Sequence, residues 1–284
     1  MKKFLMLLIS CFVSQSAFAV DRGPVVPMKI LTIALNKTTH SEFASHSTPY
    51  SHDIANKFYE TMKSEIKNKG YTGTVTTRLK KEDEEATSSF FKSSQTDNYN
   101  FIFSVGHGMP YRLIQYDKTS VFIEDKQFGG NTYWVWLYSC LVFKNTYDGD
   151  SRFNSAFNNG VHSILGFATS VTAESASIKV PKEFAIQWVR NGKSIWNAFK
   201  LAVQYRLHDT GNTTMKPQGD GTSISTTNVP AIAYRWGFVN NTATELANEK
   251  FETAYKGPVL NSSTYNNDPS HFCVKKQVYT RPTY

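Results

Sequence analysis

Two short segments of this chain are almost wholly apolar, and they constrain its fold more than any other feature. Residues 100–105 read NFIFSV and residues 133–138 read YWVWLY. Apolar runs of this length, rich in aromatic and β-branched residues, predict strands that are buried on both faces. Such strands are typical of parallel sheets whose two faces are covered by helices. The two segments therefore predict a layered α/β fold.

Helical patterns alternate with these and other strand patterns along the chain. Residues 28–35 predict a first strand, and a helix follows in which apolar residues recur at steps of four on one face. These residues are Ile54, Phe58, Met62 and Ile66. Residues 181–208 predict a helix that is broken near Asn191. We therefore expect a three-layer α/β/α fold with a mainly parallel central sheet of about six strands, in which the strands ending at Val105 and Tyr138 are adjacent and parallel.

The first 19 residues have the three-part order of a secretory signal peptide. A positively charged start, MKK, precedes an apolar stretch at residues 4–13, and the sequence Ala-Phe-Ala at residues 17–19 is typical of a cleavage site. We therefore expect the mature chain to begin near Val20 and to be periplasmic or secreted. No later segment approaches the eighteen or so uninterrupted apolar residues of a membrane helix, so no membrane span is predicted.

The mature chain is expected to contain one large α/β domain at residues 20–239. Residues 240–284 are rich in asparagine and show no clear periodicity, so we expect an irregular C-terminal extension that packs on this domain. Residues 209–228 are polar and glycine-containing, which predicts a long loop. The formal net charge of +8 is dispersed without a basic-aromatic motif, so a nucleic-acid partner is not expected.

A histidine and a cysteine follow the two apolar strands. His107 comes after FIFSV and a glycine, and Cys140 comes after YWVWLY and a serine. Functional groups gather at the carboxyl ends of parallel strands, so neighbouring strands would bring both side chains to one edge of the sheet. An imidazolium lowers the pKa of a nearby thiol, and the imidazole can protonate a leaving amine. The pair therefore predicts a thiol enzyme with Cys140 as nucleophile and His107 as general acid and base.

The glycines on both sides of His107 indicate how such an enzyme would stabilise its transition state. They allow a sharp turn and a close approach of the backbone to a substrate. The backbone N–H groups of Gly108 and Cys140 would then hold the oxyanion of a tetrahedral intermediate. One donor of this kind is typically worth about 3 kcal/mol of transition-state stabilisation.

The order of these motifs resembles the caspase, gingipain and legumain group of cysteine peptidases. In that group an apolar strand ends in His-Gly and a later one ends in Ala-Cys or Ser-Cys, as FIFSVGHG and YWVWLYSC do here. The resemblance extends over residues 28–238. It implies the caspase-like fold for the α/β domain, a catalytic dyad of His107 and Cys140, and a peptide or protein substrate. In the legumain branch an asparagine at the end of the first strand orients the histidine, and Asn36 has that position here.

The sequence departs from this group in two places. The caspase signature Q-A-C-x-G is absent, and Tyr138 replaces an acidic residue that often precedes the cysteine in relatives. The resemblance therefore implies a secreted bacterial branch rather than a caspase, and it implies no preference for a particular substrate residue.

Interpretations from other classes are also open. A non-catalytic binding protein could have the same fold, either with Cys140 and Cys273 joined in a disulfide, which export permits, or with an inactive dyad of His107 and Cys140. A different thiol hydrolase or transferase is a third interpretation. His40, His46 and His52 lie in one segment, but their spacing fits no known metal site, and no metal or other cofactor is expected.

The tryptophans and the aspartate-glycine pairs have simpler interpretations. Trp134, Trp136, Trp188, Trp196 and Trp236 lie at core-like spacing, which favours packing over a sugar-binding platform. The sequences DGD at residues 148–150 and DG at residues 220–221 do not continue as calcium-binding loops, so turns explain them better.

Overall fold

The structure, a computed structural model, describes the chain in several stretches. These are residues 22–117, 119–126, 128, 130–147, 150–157, 160–171, 173, 175–210, 230–239, 242–254, 256 and 272–277. The expected signal peptide of residues 1–19 lies outside them, as do residues 211–229, which include most of the expected loop. Among the described helices, none combines the length and the apolar character that a membrane crossing requires.

A large, mainly parallel sheet forms the centre of the fold, as the sequence predicts. The described strands are β1 (Met28–Ala34), β2 (Thr76–Glu82), β3 (Phe101–Val105), β4 (Gly108–Met109), β5 (Arg112–Ile114), β6 (Ser120–Phe122), β7 (Trp134–Tyr138), β8 (Ser163–Phe167), β9 (Pro230–Val239), β10 (Thr242–Glu245) and β11 (Phe272–Lys276). The order in the large sheet is β10-β9-β8-β7-β3-β1-β2, and β11 also pairs with β9. Strands β2, β1, β3, β7 and β8 are parallel, whereas β9 is antiparallel to β8.

Helices and small elements cover both faces of this sheet. The described α-helices are α1 (Ser51–Asn68), α2 (Ser88–Lys92), α3 (Asn154–Phe157), α4 (Lys179–Ala185) and α5 (Ile195–Thr210). Apolar residues of α1, α4 and α5 form one buried cluster with one face of the sheet. On the other face, a second cluster joins the sheet to α2, α3 and the small antiparallel sheet β4-β5-β6. The fold is therefore three-layered, with the thinner layer on the second face.

Strands β3 and β7 are adjacent and parallel, which confirms the prediction for the strands ending at Val105 and Tyr138. Phe101 pairs with Trp134 and Val105 pairs with Tyr138 in parallel register. All residues of both strands are buried, because the sheet is covered on both faces. The two strands therefore end at the same level, on the carboxyl edge of the sheet.

The helical predictions are confirmed for α1 and for the kink in the later helix. The four apolar residues at steps of four along α1 are all fully buried. A π-helical turn at Ile186–Arg190 follows α4, and the chain then breaks at Gly192, whose φ of 61° is in the left-handed region, before α5 begins. Trp134, Trp136, Trp188 and Trp196 are buried, which confirms their interpretation as core residues.

The C-terminal segment differs from the prediction. The described parts of residues 240–284, expected to be irregular, contribute two strands to the large sheet. Strand β11 pairs with the first half of β9 and β10 pairs with the second half, both antiparallel. The central sheet accordingly has eight described strands, where about six were expected. This segment therefore builds part of the main domain, because its strands extend the central sheet.

A buried polar contact anchors this C-terminal segment to the amino ends of β7 and β8. The Glu249 carboxylate lies 3.1 Å from Nδ1 of His162 and accepts a hydrogen bond from Nε1 of Trp134 at 2.7 Å. The side chains of Glu249 and His162 are almost completely buried. His162 therefore has a structural partner, remote from the carboxyl edge where His107 and Cys140 lie.

Candidate functional site

His107 and Cys140 lie beyond matching ends of β3 and β7. Val105 and Tyr138 are the last paired residues of these strands, and His107 and Cys140 each follow two residues later. The Gly106 N–H also donates to the Tyr138 carbonyl at 3.4 Å, which extends the pairing by one residue. Parallel strands are about 4.8 Å apart. The histidine and the cysteine therefore leave the sheet from neighbouring positions.

Gly108 packs directly against the segment that follows β7. A Cβ added at Gly108 would lie 2.7 Å from the carbonyl oxygen of Cys140, 3.2 Å from its backbone nitrogen and 2.8 Å from the Cβ of Ser139. Two of these distances are below any ordinary contact, so a residue with a side chain does not fit without moving the backbone. The backbone of Gly108 thus lies beside that of Cys140, where the two oxyanion donors are expected.

The ring of His107 is held by the loop between β1 and α1. Its Nε2 lies 2.7 Å from the His46 carbonyl oxygen, and its face stacks on Phe43 with ring centroids 4.8 Å apart and planes 28° apart. A carbonyl oxygen only accepts hydrogen bonds, so Nε2 carries the proton and donates it. In the neutral ring Nδ1 is then the unprotonated nitrogen, which is the one able to act as a base.

The electrostatic surroundings of His107 favour this neutral ring. Burial lowers the pKa of His107, and a positive charge on His46 would lower it further. The hydrogen bond to the His46 carbonyl stabilises the charged form and acts in the opposite direction, but burial is the larger effect. His107 is therefore a neutral base in this state rather than an imidazolium.

The thiol of Cys140 is held by the backbone that follows β8. Its Sγ donates to the carbonyl oxygen of Val171 at 3.1 Å and accepts from the Val171 N–H at 3.3 Å. The next residue, Leu141, has a φ of 60°, in the left-handed region that favours glycine, and its N–H donates to the carbonyl of Thr169 at 3.0 Å. Residues 169–171 thus lie against both the nucleophile candidate and the strained residue beside it.

The state of the thiol differs from the expectation of a lowered pKa. Burial raises the pKa of Cys140, and this effect outweighs the hydrogen bonds from the Val171 N–H and Ser170, which lower it. The Val171 carbonyl adds a geometric reason, because it accepts a hydrogen bond from S–H but would repel a thiolate. Cys140 is therefore a protonated thiol in this state, and its sulfur stays bonded to Val171 unless that contact opens.

Asn36 is in the same region, but its side chain contacts a different partner from the one expected. Its Oδ1 accepts the backbone N–H of His52 at 3.2 Å, which satisfies one of the unpaired N–H groups in the first turn of α1. Its carbonyl accepts the N–H of Thr48 at 3.0 Å. Among the described contacts, the ring of His107 touches His46 and Phe43 rather than Asn36. Asn36 thus fixes both ends of the loop that holds His107.

The remaining candidates separate into different environments. Cys140 and Cys273 are not joined in a disulfide, so the alternative with a bond between them is wrong. Cys273 lies in β11, opposite Tyr234 of β9. His40 packs against Phe43 with ring centroids 5.5 Å apart, whereas Nε2 of His52 lies 3.2 Å from the Asp83 carboxylate.

Three features of the site are not apparent in the sequence. Phe43, the carbonyl of His46 and the backbone of Val171 come from loops without hydrophobic periodicity. Two of the contacts use backbone atoms, which every residue type has, so no residue pattern marks them. The phenylalanine in an otherwise polar loop is the one signal that could have been followed.

The fold and the site together define a class: a mainly parallel α/β protein with a histidine and a cysteine at the carboxyl edge of its sheet. The family model described as "Domain of unknown function (DUF6345)" matches residues 36–264. Because the match covers most of the sequence, this chain belongs to that family. No curated protein matches the sequence.

Solved structures similar to this chain include three cysteine peptidases. The Arg-specific cysteine proteinase gingipain R (RGPB) has a TM-score of 0.44 and 10% identity, over 88% of this chain and 66% of that chain. Caspase-1 from Spodoptera frugiperda has a TM-score of 0.46 and 12% identity, over 78% of this chain and 91% of that chain. The Drosophila initiator caspase Dronc has a TM-score of 0.39 and 8% identity, over 79% of this chain and 84% of that chain. This chain spans just under two thirds of the gingipain chain, and at these values the similarity does not extend to function.

Proposed function

We propose that this protein is an exported cysteine peptidase in which Cys140 is the nucleophile and His107 is the general acid and base. The observation that carries the proposal is the contact of Gly108 with Cys140, because it joins the two strand ends that bear the reacting groups. The tautomer of His107 adds support, since its base nitrogen is left available by the bond from Nε2 to His46. Export rests on the signal-peptide pattern at residues 1–19.

The first half of the reaction forms an acyl-enzyme. The Cys140 thiol transfers its proton to Nδ1 of His107, and the sulfur attacks the carbonyl carbon of the scissile peptide bond. The resulting oxyanion accepts hydrogen bonds from the backbone N–H groups of Gly108 and Cys140. His107 then donates its proton to the leaving nitrogen, the C–N bond breaks, and the amine product departs.

The second half restores the enzyme. His107, neutral again, takes a proton from a water molecule, which attacks the thioester carbon. The C–S bond breaks, the acid product leaves, and the thiolate of Cys140 recovers its proton from His107. The Asn36 contacts act indirectly in this scheme, because they fix the loop that orients the histidine.

The Val171 contact adds a condition to this scheme. In the resting state the protonated thiol is hydrogen-bonded to both the carbonyl and the N–H of Val171. A substrate must therefore displace the backbone of Val171 before the sulfur can attack. An extended peptide has N–H and C=O groups that can bond to the backbone of residues 169–171 in place of the sulfur. Substrate binding would therefore both expose the sulfur and remove the carbonyl that opposes its ionisation.

The same observation favours the second candidate, a non-catalytic binding protein on this fold. A partly buried thiol with a raised pKa is a common condition of a structural cysteine. In this case His107 and Cys140 would form a dyad without activity, and residues 169–171 would remain in contact with the sulfur when a ligand binds.

A peptide-library experiment separates the two candidates. The mature protein is incubated with a mixture of peptides of diverse sequence, and mass spectrometry identifies new termini. A peptidase produces a consistent set of cleavages that disappears in Cys140→Ala and in His107→Ala. The matched control is Cys273→Ala, which removes the other cysteine of the described residues and should leave the cleavages unchanged. Cleavages that persist in Cys140→Ala, or no cleavage by the folded wild-type protein, would rule the peptidase out.

A further inference from the structure

Both contacts that hold the ring of His107 come from a single turn. Phe43 supplies an aromatic face and His46 supplies a carbonyl oxygen, three residues apart. The His46 N–H donates to the Phe43 carbonyl at 2.8 Å, so the two residues are also bonded to each other. The imidazole is therefore held in its plane by a hydrogen bond and across its plane by a stacked ring.

Backbone hydrogen bonds make this turn a fixed unit. The N–H groups of Phe43 and Ala44 both donate to the His40 carbonyl, at 2.9 and 2.8 Å. Before the turn, the Thr39 N–H donates to the Tyr116 carbonyl at 3.1 Å. After it, the Thr48 N–H donates to Asn36, as described above. A loop anchored at both ends can hold a side chain in one position, which an unanchored loop cannot do.

We propose that Phe43 is a positioning residue for His107, whose ring stacking keeps the imidazole bonded to His46 and leaves Nδ1 facing the reaction. This positioning role rests on the peptidase function proposed above. Without the phenyl ring, the imidazole is free to rotate about its χ2 torsion, which is a broad torsion in histidine. A half-turn about χ2 would put Cε1 in the place of Nε2 and Cδ2 in the place of Nδ1. It would therefore break the bond to His46 and remove the base nitrogen from its position.

The neighbouring titratable groups are few among the described residues that contact this turn. His40 and Glu42 belong to the same loop, and a backbone N–H of Glu42 faces Nδ1 of His40. The His46 carbonyl bonds to His107, a positive charge on the His46 ring would lower the pKa of His107, and Cys140 lies at the adjacent strand end. Of these contacts, only the stack on Phe43 can be removed by substitution without changing a charge.

The test is a histidine titration by nuclear magnetic resonance, combined with kinetics. Long-range ¹H–¹⁵N spectra give the pKa and tautomer of His107 in the wild type, in Phe43→Ala and in Phe43→Tyr, with the signal assigned by its loss in His107→Gln. In Phe43→Ala we expect the pKa to rise toward about 6.5, because the ring face becomes hydrated, and Nδ1–H and Nε2–H tautomers to mix. Phe43→Tyr retains the stack, so it should keep the wild-type pKa and tautomer.

Kinetic measurements test the same residue independently. For Phe43→Ala we expect kcat to fall roughly tenfold to a hundredfold with little change in KM, because misplacement of a catalytic group affects the chemical step. The acid limb of the pH profile should move to higher pH together with the measured pKa. A matched control is Phe90→Ala, which removes a half-buried phenylalanine of α2 that packs in the cluster on the other face of the sheet.

The outcomes distinguish this proposal from the proposed function. A wild-type pKa and single tautomer in Phe43→Ala would overturn the positioning role, whatever the activity. Phe43→Tyr retains the stacked ring. If it nevertheless mixed the two tautomers of His107 as much as Phe43→Ala does, that result would also overturn the positioning role. A shifted pKa and mixed tautomers in a protein that cleaves no peptide would support the role of Phe43 and reject the peptidase.

Discussion

The substitution Gly108→Ala tests the close contact on which the site is built. The added Cβ would lie 2.7 Å from the Cys140 carbonyl oxygen and 2.8 Å from the Ser139 Cβ, where normal contacts begin near 3.4 Å. Neither neighbour is the end of a flexible side chain, so the backbone must move by several tenths of an ångström. Overpacking of this kind typically costs about 1–3 kcal/mol, so we expect a loss of about 2 kcal/mol in the free energy of unfolding.

The effect on catalysis should exceed the effect on stability. A backbone shift at Gly108 displaces one oxyanion donor and pushes on the nucleophile, so kcat should fall by roughly a hundredfold or more. For a chain of this size, the stability loss corresponds to about 4 °C in Tm. Thermal unfolding and peptide cleavage are measured beside Gly130→Ala, because a Cβ at Gly130 would meet no atom within 4 Å. Equal Tm and equal cleavage in the two variants would refute the claim that the strand ends touch through Gly108.

Other expected outcomes follow from the ionisable groups and the sequence. Because burial raises the pKa of Cys140, the rate of its alkylation by iodoacetamide should reach half its maximum at a pH above the usual thiol pKa of about 8.5. A half-maximal rate at a pH below about 7 would contradict the protonated resting thiol. Glu249→Ala leaves the buried His162 without its carboxylate and should cost about 3 kcal/mol in urea unfolding, whereas Glu252→Ala, at an exposed ion pair, should cost under about 1 kcal/mol. N-terminal sequencing of the protein secreted by an expressing bacterium should begin at Val20, and a retained Met1 would reject the signal peptide.

The parts of the fold that the sequence predicts are those with strong local patterns. The apolar runs of β3 and β7 indicate burial on both faces, which in turn requires a covered parallel sheet. The face of α1 repeats at helical spacing, and Gly192 marks the kink by a conformation that few other residues adopt. Because functional groups collect at the carboxyl ends of such strands, the position of His107 and Cys140 just beyond neighbouring strand ends follows from the same reasoning.

The parts that the sequence does not predict depend on partners distant in the chain. Strands β10 and β11 are short and mixed in polarity, and they are strands only because β9 offers an edge to pair with. The contact between Cys140 and Val171 joins a thiol to backbone atoms, and burial reverses the expected shift of the thiol pKa. A residue pattern cannot predict such a shift, since the burial that causes it is produced by the assembled fold.

The most direct test of the central claim is covalent trapping of Cys140 by peptide-based electrophiles. A panel of peptidyl acyloxymethyl ketones with different residues at the reacting end is incubated with the wild type and with His107→Ala, and the modified residue and labelling rate are determined by mass spectrometry. A peptidase should be labelled at Cys140 by a subset of the panel, faster than by iodoacetamide at equal concentration, because a peptide displaces Val171 and the small reagent does not. Labelling should be lost in His107→Ala. Labelling of Cys273 instead, or labelling of Cys140 that is independent of both the peptide and His107, would contradict the account.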